Sequence, residues 1–230
     1  RGASFYSTGG LVAVHAEELE RNKIFDSLYN RQAYATSGER ILLWFDLMNS
    51  DSGQVPMGSE ASISENPTFR VKAIGSLKQK EGCPDYVHTA LSKEEISRLC
   101  LNECYNPSDE RNKIEKIEVI KIIPSTEEAI VLDPWKTFQC EDKGEGCVVY
   151  FEDPEIILEE TAYYVRVLQE ESLAVGGDPL RCERDEEGNC TKINICYASG
   201  EGFDPNDDCL APINERAWSS PIFLSREKNL

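Results

Sequence analysis

His15, Glu17 and Glu18 are the first residues in the sequence whose side chains could do chemistry together. The histidine stands near the end of a short apolar segment, residues 11–16, which has the length of a buried strand. Ligands of α/β folds bind at the carboxyl ends of strands, and an imidazole beside carboxylates can bind a metal ion or act as a general base. We therefore expect these three residues at the rim of a substrate pocket. The alternative is a histidine that a hydrogen bond holds in the core or at an interface.

A polar turn supplies a second group of candidate residues, Thr36, Ser37 and Arg40. The two hydroxyl groups could donate hydrogen bonds to a substrate, and the guanidinium could hold an anion. We assign these residues to the same pocket rim. Alternatively, the segment is a glycine-containing exit from a helix, in which Arg40 pairs with Glu39 or Asp46. Ser37 does not lie in a GxSxG elbow and has no accompanying base, which argues against a serine hydrolase.

The nine cysteines could bind a metal ion or form disulfides, and all of them lie beyond residue 80. Zinc is the main alternative, but the chain has no CxxC pair and only two histidines, so His88 near Cys83 gives weak support for a metal site. We therefore favour disulfides and an oxidising compartment. Spacing does not determine the connectivity, and the pairs that close the shortest loops are Cys140–Cys147, Cys182–Cys190 and Cys196–Cys209. Because nine is odd, at least one thiol is free or pairs with another chain or segment.

The charge and hydropathy of the chain exclude two classes of partner. A net charge of −18 repels phosphate backbones, so we expect no nucleic-acid binding. The sequence has no run of roughly 18 apolar residues, so we expect no membrane span. Two acidic loops, residues 185–189 and 204–208, have the composition of calcium sites without the EF-hand spacing. Calcium in these loops is an alternative to a solvated acidic surface.

The elements that must position these residues change in character near residue 40. Residues 1–39 read as a strand, a helix and a strand, and the helix places Ile24, Phe25, Leu28 and Tyr29 on one face. We interpret residues 1–39 as the last strand–helix unit of an α/β barrel. Residues 40–230 carry about seven strands with uneven connections, which favours an antiparallel β-sandwich-like domain with disulfide-bearing loops. The predicted fold class is α+β, mainly β.

Six short segments spread along the chain carry a family resemblance: GGLVAVHAEE (9–18), IFDSL (24–28), YATSG (34–38), VPMG (55–58), YYVRVL (163–168) and ERAWSSPIF (215–223). In order and spacing they resemble the C-terminal part of the domain-of-unknown-function family 3604, which is similar to PHP-type metallohydrolases. None of the six segments is a catalytic motif by itself.

The resemblance implies an exported protein, periplasmic or extracellular, in which an α/β metal-binding domain precedes a β domain. The parent would use a divalent metal (Zn, Mn or Fe) to hydrolyse a phosphoester, ester or carbamate by metal-bound hydroxide. The metal-ligand motifs of such proteins do not occur in this sequence, so we expect this segment alone to bind no such metal and to be inactive. Its partners would be the N-terminal part of the same protein and a small-molecule substrate. The alternative is a non-enzymatic exported β-sandwich module with a binding or structural role.

Overall fold

The computed structural model describes residues 9–100, 104–125, 128–141, 144–155, 160–175, 177–195, 202, 204, 206–207 and 209–226. Most of these residues lie in strands, which confirms the mainly β prediction. In chain order the elements are β1 (Leu11–Val14), α1 (Arg21–Tyr29), β2 (Ala33–Thr36), β3 (Leu42–Ser50), β4 (Gly53–Pro56), β5 (Glu60–Ile63), β6 (Thr68–Ile74), β7 (Leu77–Gln79), α2 (Asp85–Ala90), α3 (Lys93–Cys100), β8 (Pro107–Arg111), β9 (Ile114–Ile123), β10 (Ile130–Gln139), β11 (Cys147–Glu152), β12 (Thr161–Val175), α4 (Gly177–Arg181), β13 (Cys182–Arg184), β14 (Cys190–Ile193), β15 (Leu210–Ser219) and β16 (Ile222–Arg226).

The large sheet is built around the long strand β12. On one side β12 pairs antiparallel with β9, which in turn pairs with β10. On the other side it pairs with β15 and with β16, and the sheet continues through β2 to β1 and through β5 at the other end. Only β5 runs parallel to its neighbour among the described pairs of this sheet. Tyr163, Val165 and Val167 alternate along β12 and are fully buried, as expected for one face of a strand packed on a core.

The second sheet has the strand order β11-β6-β3-β4 and is antiparallel throughout its described pairs. In β6 the side chains of Phe69, Val71 and Ala73 are buried while Arg70 and Lys72 point away, which confirms the alternation predicted from the sequence.

Contacts between aromatic rings join the two sheets. The ring of Phe69 on β6 lies 4.8 Å from that of Tyr163 on β12, and 5.5 Å and 5.0 Å from those of Phe45 and Phe151 (centroid distances). Because these residues belong to one buried cluster, the two sheets face each other across a single hydrophobic core.

The N-terminal strands do not form the expected βαβ arrangement. Strands β1 and β2 are antiparallel, with Leu11 opposite Thr36, whereas the two strands of a βαβ unit are parallel. Strand β2 also pairs with β15, so it extends the large sheet. No closed barrel is formed within the described ranges of the chain. The predicted α/β barrel unit is therefore not observed, and the division of the chain at residue 39 stays a prediction.

Three disulfides lie in the described part of the chain: Cys83–Cys104, Cys140–Cys147 and Cys182–Cys190. The last two are predicted pairs and are confirmed. Cys196 lies outside the described residues, and Cys209 is disulfide-bonded. The bond between Cys83 and Cys104 removes Cys83 from the set of metal ligands, because a disulfide sulfur is not a thiolate.

The start of α3 follows from a local sequence signal. Ser92 and Glu95 form the predicted capping box: the Glu95 carboxylate accepts the Ser92 N–H at 2.9 Å, and the Ser92 hydroxyl accepts the Glu95 N–H at 3.3 Å. Neither this helix nor any other in the described residues has the length and apolar character needed to cross a membrane.

Candidate functional site

The imidazole of His15 ties β1 to the second sheet. Its Nε2 donates a hydrogen bond to the carbonyl oxygen of Leu43 at 2.8 Å, because a carbonyl oxygen can only accept. The ring centroid lies 5.4 Å from that of Tyr34 and 5.8 Å from that of Trp44. This is the hydrogen-bonded arrangement that the sequence left open as the alternative to a ligand-binding role.

A small polar hollow beside His15 contains one of the predicted carboxylates. The hollow has a volume of about 180 Å³ and is lined by His15, Glu17, Lys23, Asp26, Ser27, Asn30 and Gln32. Glu17 Oε2 lies 2.8 Å from Lys23 Nζ, and the hydrogen bond from Lys23 lowers the pKa of the Glu17 carboxyl. Glu18 is exposed. The hollow is smaller than the roughly 300–1,000 Å³ that ligand sites usually offer.

Ser37 contacts a buried carboxylate that sequence reasoning missed. Its hydroxyl donates a short hydrogen bond to Glu215 Oε2 and accepts the backbone N–H of Arg216 at 2.8 Å. Glu215 is buried because it lies on the same face of β15 as the core residue Ala217. The two-residue alternation in the sequence of β15 could have indicated this position, but its contact with Ser37, 178 residues away, could not be inferred from the pattern.

The surroundings of Glu215 disfavour the ionised form of its carboxyl group. Burial raises its pKa, the hydrogen bond from Ser37 opposes the rise, the negative charge of Glu39 adds to it and Arg216 opposes it. A folded state with a raised carboxyl pKa binds protons more tightly than the unfolded chain does. Ionisation of Glu215 therefore costs stability as the pH rises through the folded pKa.

Replacing Glu215 with glutamine is expected to stabilise the chain at neutral pH, because the amide stays neutral and its oxygen still accepts from Ser37. The advantage should shrink as the pH falls below the usual glutamate range, where wild-type Glu215 is protonated in both states. Urea denaturation of both proteins at a series of pH values measures this. A difference in the free energy of unfolding that does not vary with pH would contradict the assignment.

The partner of Arg40 differs from the partners of His15 and Ser37. Its guanidinium carbon lies 3.8 Å from the centroid of the Tyr105 ring, a cation–π contact. The proposed pairing of Arg40 with Asp46 is not the observed one, because Asp46 Oδ2 is 2.7 Å from Arg70. Thr36, the remaining predicted rim residue, is buried, and its hydroxyl accepts the Gly38 N–H at 3.4 Å.

Three of the described carboxylates in the acidic loops, Asp185, Asp204 and Asp207, have partners within the protein. Asp185 accepts the Asn189 N–H at 2.7 Å, and Asp204 accepts the Asn206 N–H at 2.9 Å. Asp207 pairs with Arg181, and that hydrogen bond lowers the pKa of the Asp207 carboxyl. Within the described ranges, no group of three or more His, Cys, Asp or Glu residues is placed to hold a metal ion. Pro205 and Asp208 lie outside the described residues.

The apolar side of α1 faces solvent. Phe25, Leu28 and Tyr29, which we call the α1 face, lie on one side of the helix at spacings of three and four residues. Phe25 is 63% exposed and Tyr29 is 77% exposed, and their rings stack at 6.3 Å. The buried residue of this helix is instead Ser27, whose hydroxyl donates to the carbonyl oxygen of His15 at 2.8 Å. Ile24, the fourth apolar residue that the sequence places on this side of the helix, is half-buried.

The loop after α1 is held by contacts with two other loops, at Gly58 and Pro221. Arg31 Nε donates to the carbonyl oxygen of Gly58 at 3.0 Å, and the Gly58 N–H donates to the carbonyl oxygen of Pro221 at 3.0 Å. A Cβ atom at Gly58 would lie 2.3 Å from the carbonyl oxygen of Arg31, and Gly58 has a φ of 89°, so glycine is required there. Residues 55–58 and 215–223, two of the segments singled out in the sequence, thus meet beside the end of α1.

An apolar groove of about 510 Å³ begins at the same place. Ile122, Ala162, Tyr164 and Phe223 are among its lining residues on the outer side of the large sheet. At its rim, Arg31 forms an ion pair with Glu60 at 2.8 Å.

Comparison with known proteins connects the N-terminal part of the chain to one family. Residues 2–81 match the family described as "Protein of unknown function (DUF3604)". Part of the chain is also 40% identical over 62 residues to an uncharacterized protein of Chlamydia muridarum, a match that covers 27% of this chain and 9% of that protein. An uncharacterized protein of Chlamydia trachomatis is 40% identical over 58 residues (25% and 8%), and one of Chlamydia pneumoniae is 36% identical over 62 residues (27% and 9%). The chain therefore matches less than a tenth of the length of these relatives. No solved structure matches.

The DUF3604-like segment is not a self-contained unit in this fold. It contains α1, the α1 face and strands β1 to β7. Four of its described strands pair with strands from the rest of the chain: β2 with β15, β5 with β16, β6 with β11 and β7 with β8. The strands of this segment therefore form their sheets together with strands from later in the chain.

Proposed function

We propose that this chain is a non-catalytic β module that binds the remaining part of a longer protein through the α1 face. The observation that carries the proposal is the inverted burial of α1, in which Phe25, Leu28 and Tyr29 are exposed while Ser27 is buried. In soluble proteins, contiguous patches of exposed apolar side chains mark interaction surfaces, whereas single exposed apolar residues are common. The rival role for the same exposed side chains is binding to an unrelated partner.

The energetics of α1 favour a partner. An isolated helix of nine residues is marginal in water, since most helical stability comes from packing an apolar face. Here much of that face remains exposed, with Phe25 63% and Tyr29 77% exposed. Burial of each large apolar side chain contributes about 1.5–3 kcal/mol relative to exposure. Docking of Phe25 and Tyr29 would therefore supply several kcal/mol to a complex.

Two observations favour the remainder of a longer protein as the occupant. The curated relatives are much longer than their match to this chain, which spans 9% of the first of them. The α1 face also lies within the DUF3604-like segment, beside the junction of Arg31, Gly58 and Pro221. A surface used to hold two parts of one protein together would be expected in the region that the family shares.

Replacing Phe25 and Tyr29 together with serine tests this proposal. The free energy of unfolding of the isolated chain is expected to change by about 0.5 kcal/mol or less, because both side chains are exposed. Binding to the remainder of the longer protein, measured by calorimetric titration, is expected to weaken at least about thirtyfold, as for anchor residues at the centre of an interface. Tyr86→Ser on α2 is the matched control, since Tyr86 is similarly exposed and lies off the α1 face. Equal affinities for all three proteins would refute the α1 face as the docking surface.

We further propose that the longer protein is a metal-dependent hydrolase of phosphoesters, esters or carbamates, whose metal ligands lie outside this chain. The support is the resemblance of six segments to family 3604 and, through it, to PHP-type metallohydrolases. The disulfides support an exported location, because such bonds persist in oxidising compartments. Metal analysis and an ester panel with Mn²⁺ or Zn²⁺ test the longer protein against this chain alone. A longer protein that binds no metal and hydrolyses none of the esters would contradict this part of the proposal and leave the docking proposal standing.

A further inference from the structure

A lysine and an aspartate are in direct contact at one end of the core. Lys121 Nζ lies 2.7 Å from Asp153 Oδ2, and their side chains are 3% and 0% exposed. Lys121 belongs to β9 of the large sheet, whereas Asp153 directly follows β11 of the second sheet. The pair therefore connects the two sheets from within.

Groups that can donate or accept a proton surround the pair. Asp153 Oδ1 accepts the backbone N–H of Glu155 at 3.0 Å, and Oδ2 accepts the phenol O–H of Tyr163 at 2.5 Å. Glu155 Oε2 lies 3.0 Å from Lys121 Nζ, and this glutamate side chain is 76% exposed, so it links the buried amine to solvent. The Trp135 ring centroid is 5.2 Å from the same Nζ, which adds an aromatic wall.

We propose that Lys121 and Asp153 condense into an intramolecular isopeptide bond between Nζ of the lysine and Cγ of the aspartate. The fold holds amine and carboxyl together, which converts a bimolecular reaction into an intramolecular one with a high effective concentration. Exclusion of bulk water from the site favours the amide over its hydrolysis. The side chains and the backbone N–H around the pair supply every group that the reaction needs. The co-product is one water molecule.

The atoms balance without an external reagent. The Lys121 ammonium passes one proton to Asp153 Oδ2 through their hydrogen bond, which leaves an amine and a carboxylic acid. Nζ then attacks Cγ, and the charge that develops on Oδ1 is stabilised by the Glu155 backbone N–H. A second proton moves from the nitrogen through the Glu155 carboxylate to the Oδ2 hydroxyl, the bond from Cγ to Oδ2 breaks, and water leaves. The third proton of the ammonium remains on the amide nitrogen.

The charges of the resting state explain why this reaction would be slow. Burial lowers the pKa of Lys121, but hydrogen bonds to Asp153 and Glu155 outweigh it, so the pKa is raised and the ion pair predominates. The first proton transfer is therefore uphill. Burial, and then the bond to Asp153, raise the pKa of Tyr163, so its phenol stays protonated and keeps donating to Oδ2.

Mass spectrometry of the complete chain after reduction and alkylation tests the proposal. The wild-type chain is expected to be lighter than its sequence by the mass of one water molecule. Peptide mapping is expected to place the loss in a branched peptide that contains both Lys121 and Asp153. A chain of full mass after prolonged incubation in the folded state would overturn the proposal. So would a water loss that maps to a cyclic imide at another aspartate.

Two variants separate the reaction from the fold. Lys121→Arg keeps the positive charge but removes the nucleophilic amine, so it is expected to retain full mass. Glu155→Gln changes a largely exposed side chain, so the fold should be preserved while the water loss is slowed by an order of magnitude or more, since proton transfer by a positioned group contributes about 10²–10⁴-fold. Loss of one water from Lys121→Arg at the wild-type rate would show that another pair reacts.

Discussion

Replacing Asp153 with alanine is expected to lower the free energy of unfolding by about 3–5 kcal/mol, because it leaves the Lys121 ammonium buried without its closest counter-charge. Asp153 is fully buried and accepts from Lys121, from Tyr163 and from the Glu155 backbone, so all three donors lose a partner at once. This magnitude refers to the wild-type chain before condensation, in which Lys121 and Asp153 form an ion pair. Urea denaturation at neutral pH measures the change.

Two controls distinguish an unpaired charge from a simple loss of packing. Lys121→Met combined with Asp153→Leu removes both charges and is expected to restore most of the stability lost relative to the ion-paired wild type, since an apolar pair of similar volume often replaces a buried ion pair without loss. Glu155→Gln alters the exposed partner and is expected to cost about 1 kcal/mol or less. If Asp153→Ala were as stable as the wild type, Lys121 would have to reach another counter-charge or solvent.

Replacing Phe69 with alanine is expected to cost about 3–5 kcal/mol through the cavity it leaves in the core. Phe69 belongs to the DUF3604-like segment, whereas two of its ring partners, Phe151 and Tyr163, belong to later strands. The loss would therefore show that the later strands complete the core of that segment. Denaturant unfolding followed by intrinsic fluorescence gives the midpoint and the slope.

Tyr150→Ala is the matched control for Phe69→Ala. Tyr150 stands next to Phe151 on β11 but points to the outer side of the second sheet, where it is exposed. We expect this variant to cost about 1 kcal/mol or less. Equal losses for the two variants would contradict the placement of the core between the sheets.

Local patterns predicted the elements better than their pairing. The alternation in β6 and the capping box of Ser92 and Glu95 depend on neighbours a few residues away, and both are confirmed. The same kind of pattern identified β1 and β2 as strands but carried no information on their relative direction. The pattern indicated neither their antiparallel pairing nor the pairing of β2 with β15, which lies far along the chain.

The candidate sites show the same limit. Helical periodicity located the apolar side of α1, but periodicity does not indicate what covers such a face, and here it is exposed. Lys121 reads as one charged residue in an isoleucine-rich strand, and only Asp153, 32 positions later, explains why it is buried. Ser37 was assigned to a pocket rim by its residue type, whereas its partner Glu215 comes from the other end of the chain.

Hydrogen–deuterium exchange along α1 (Arg21–Tyr29) tests the docking proposal most directly, by comparison of the isolated chain with the longer protein. Docking of the α1 face predicts that α1 amides exchange at least about tenfold more slowly in the longer protein, equivalent to about 1.4 kcal/mol of added protection. The amides of β3 and β6 should exchange equally in both samples, since each of these strands is paired on both sides within this chain. Equal exchange of the α1 amides in both samples would contradict the proposal.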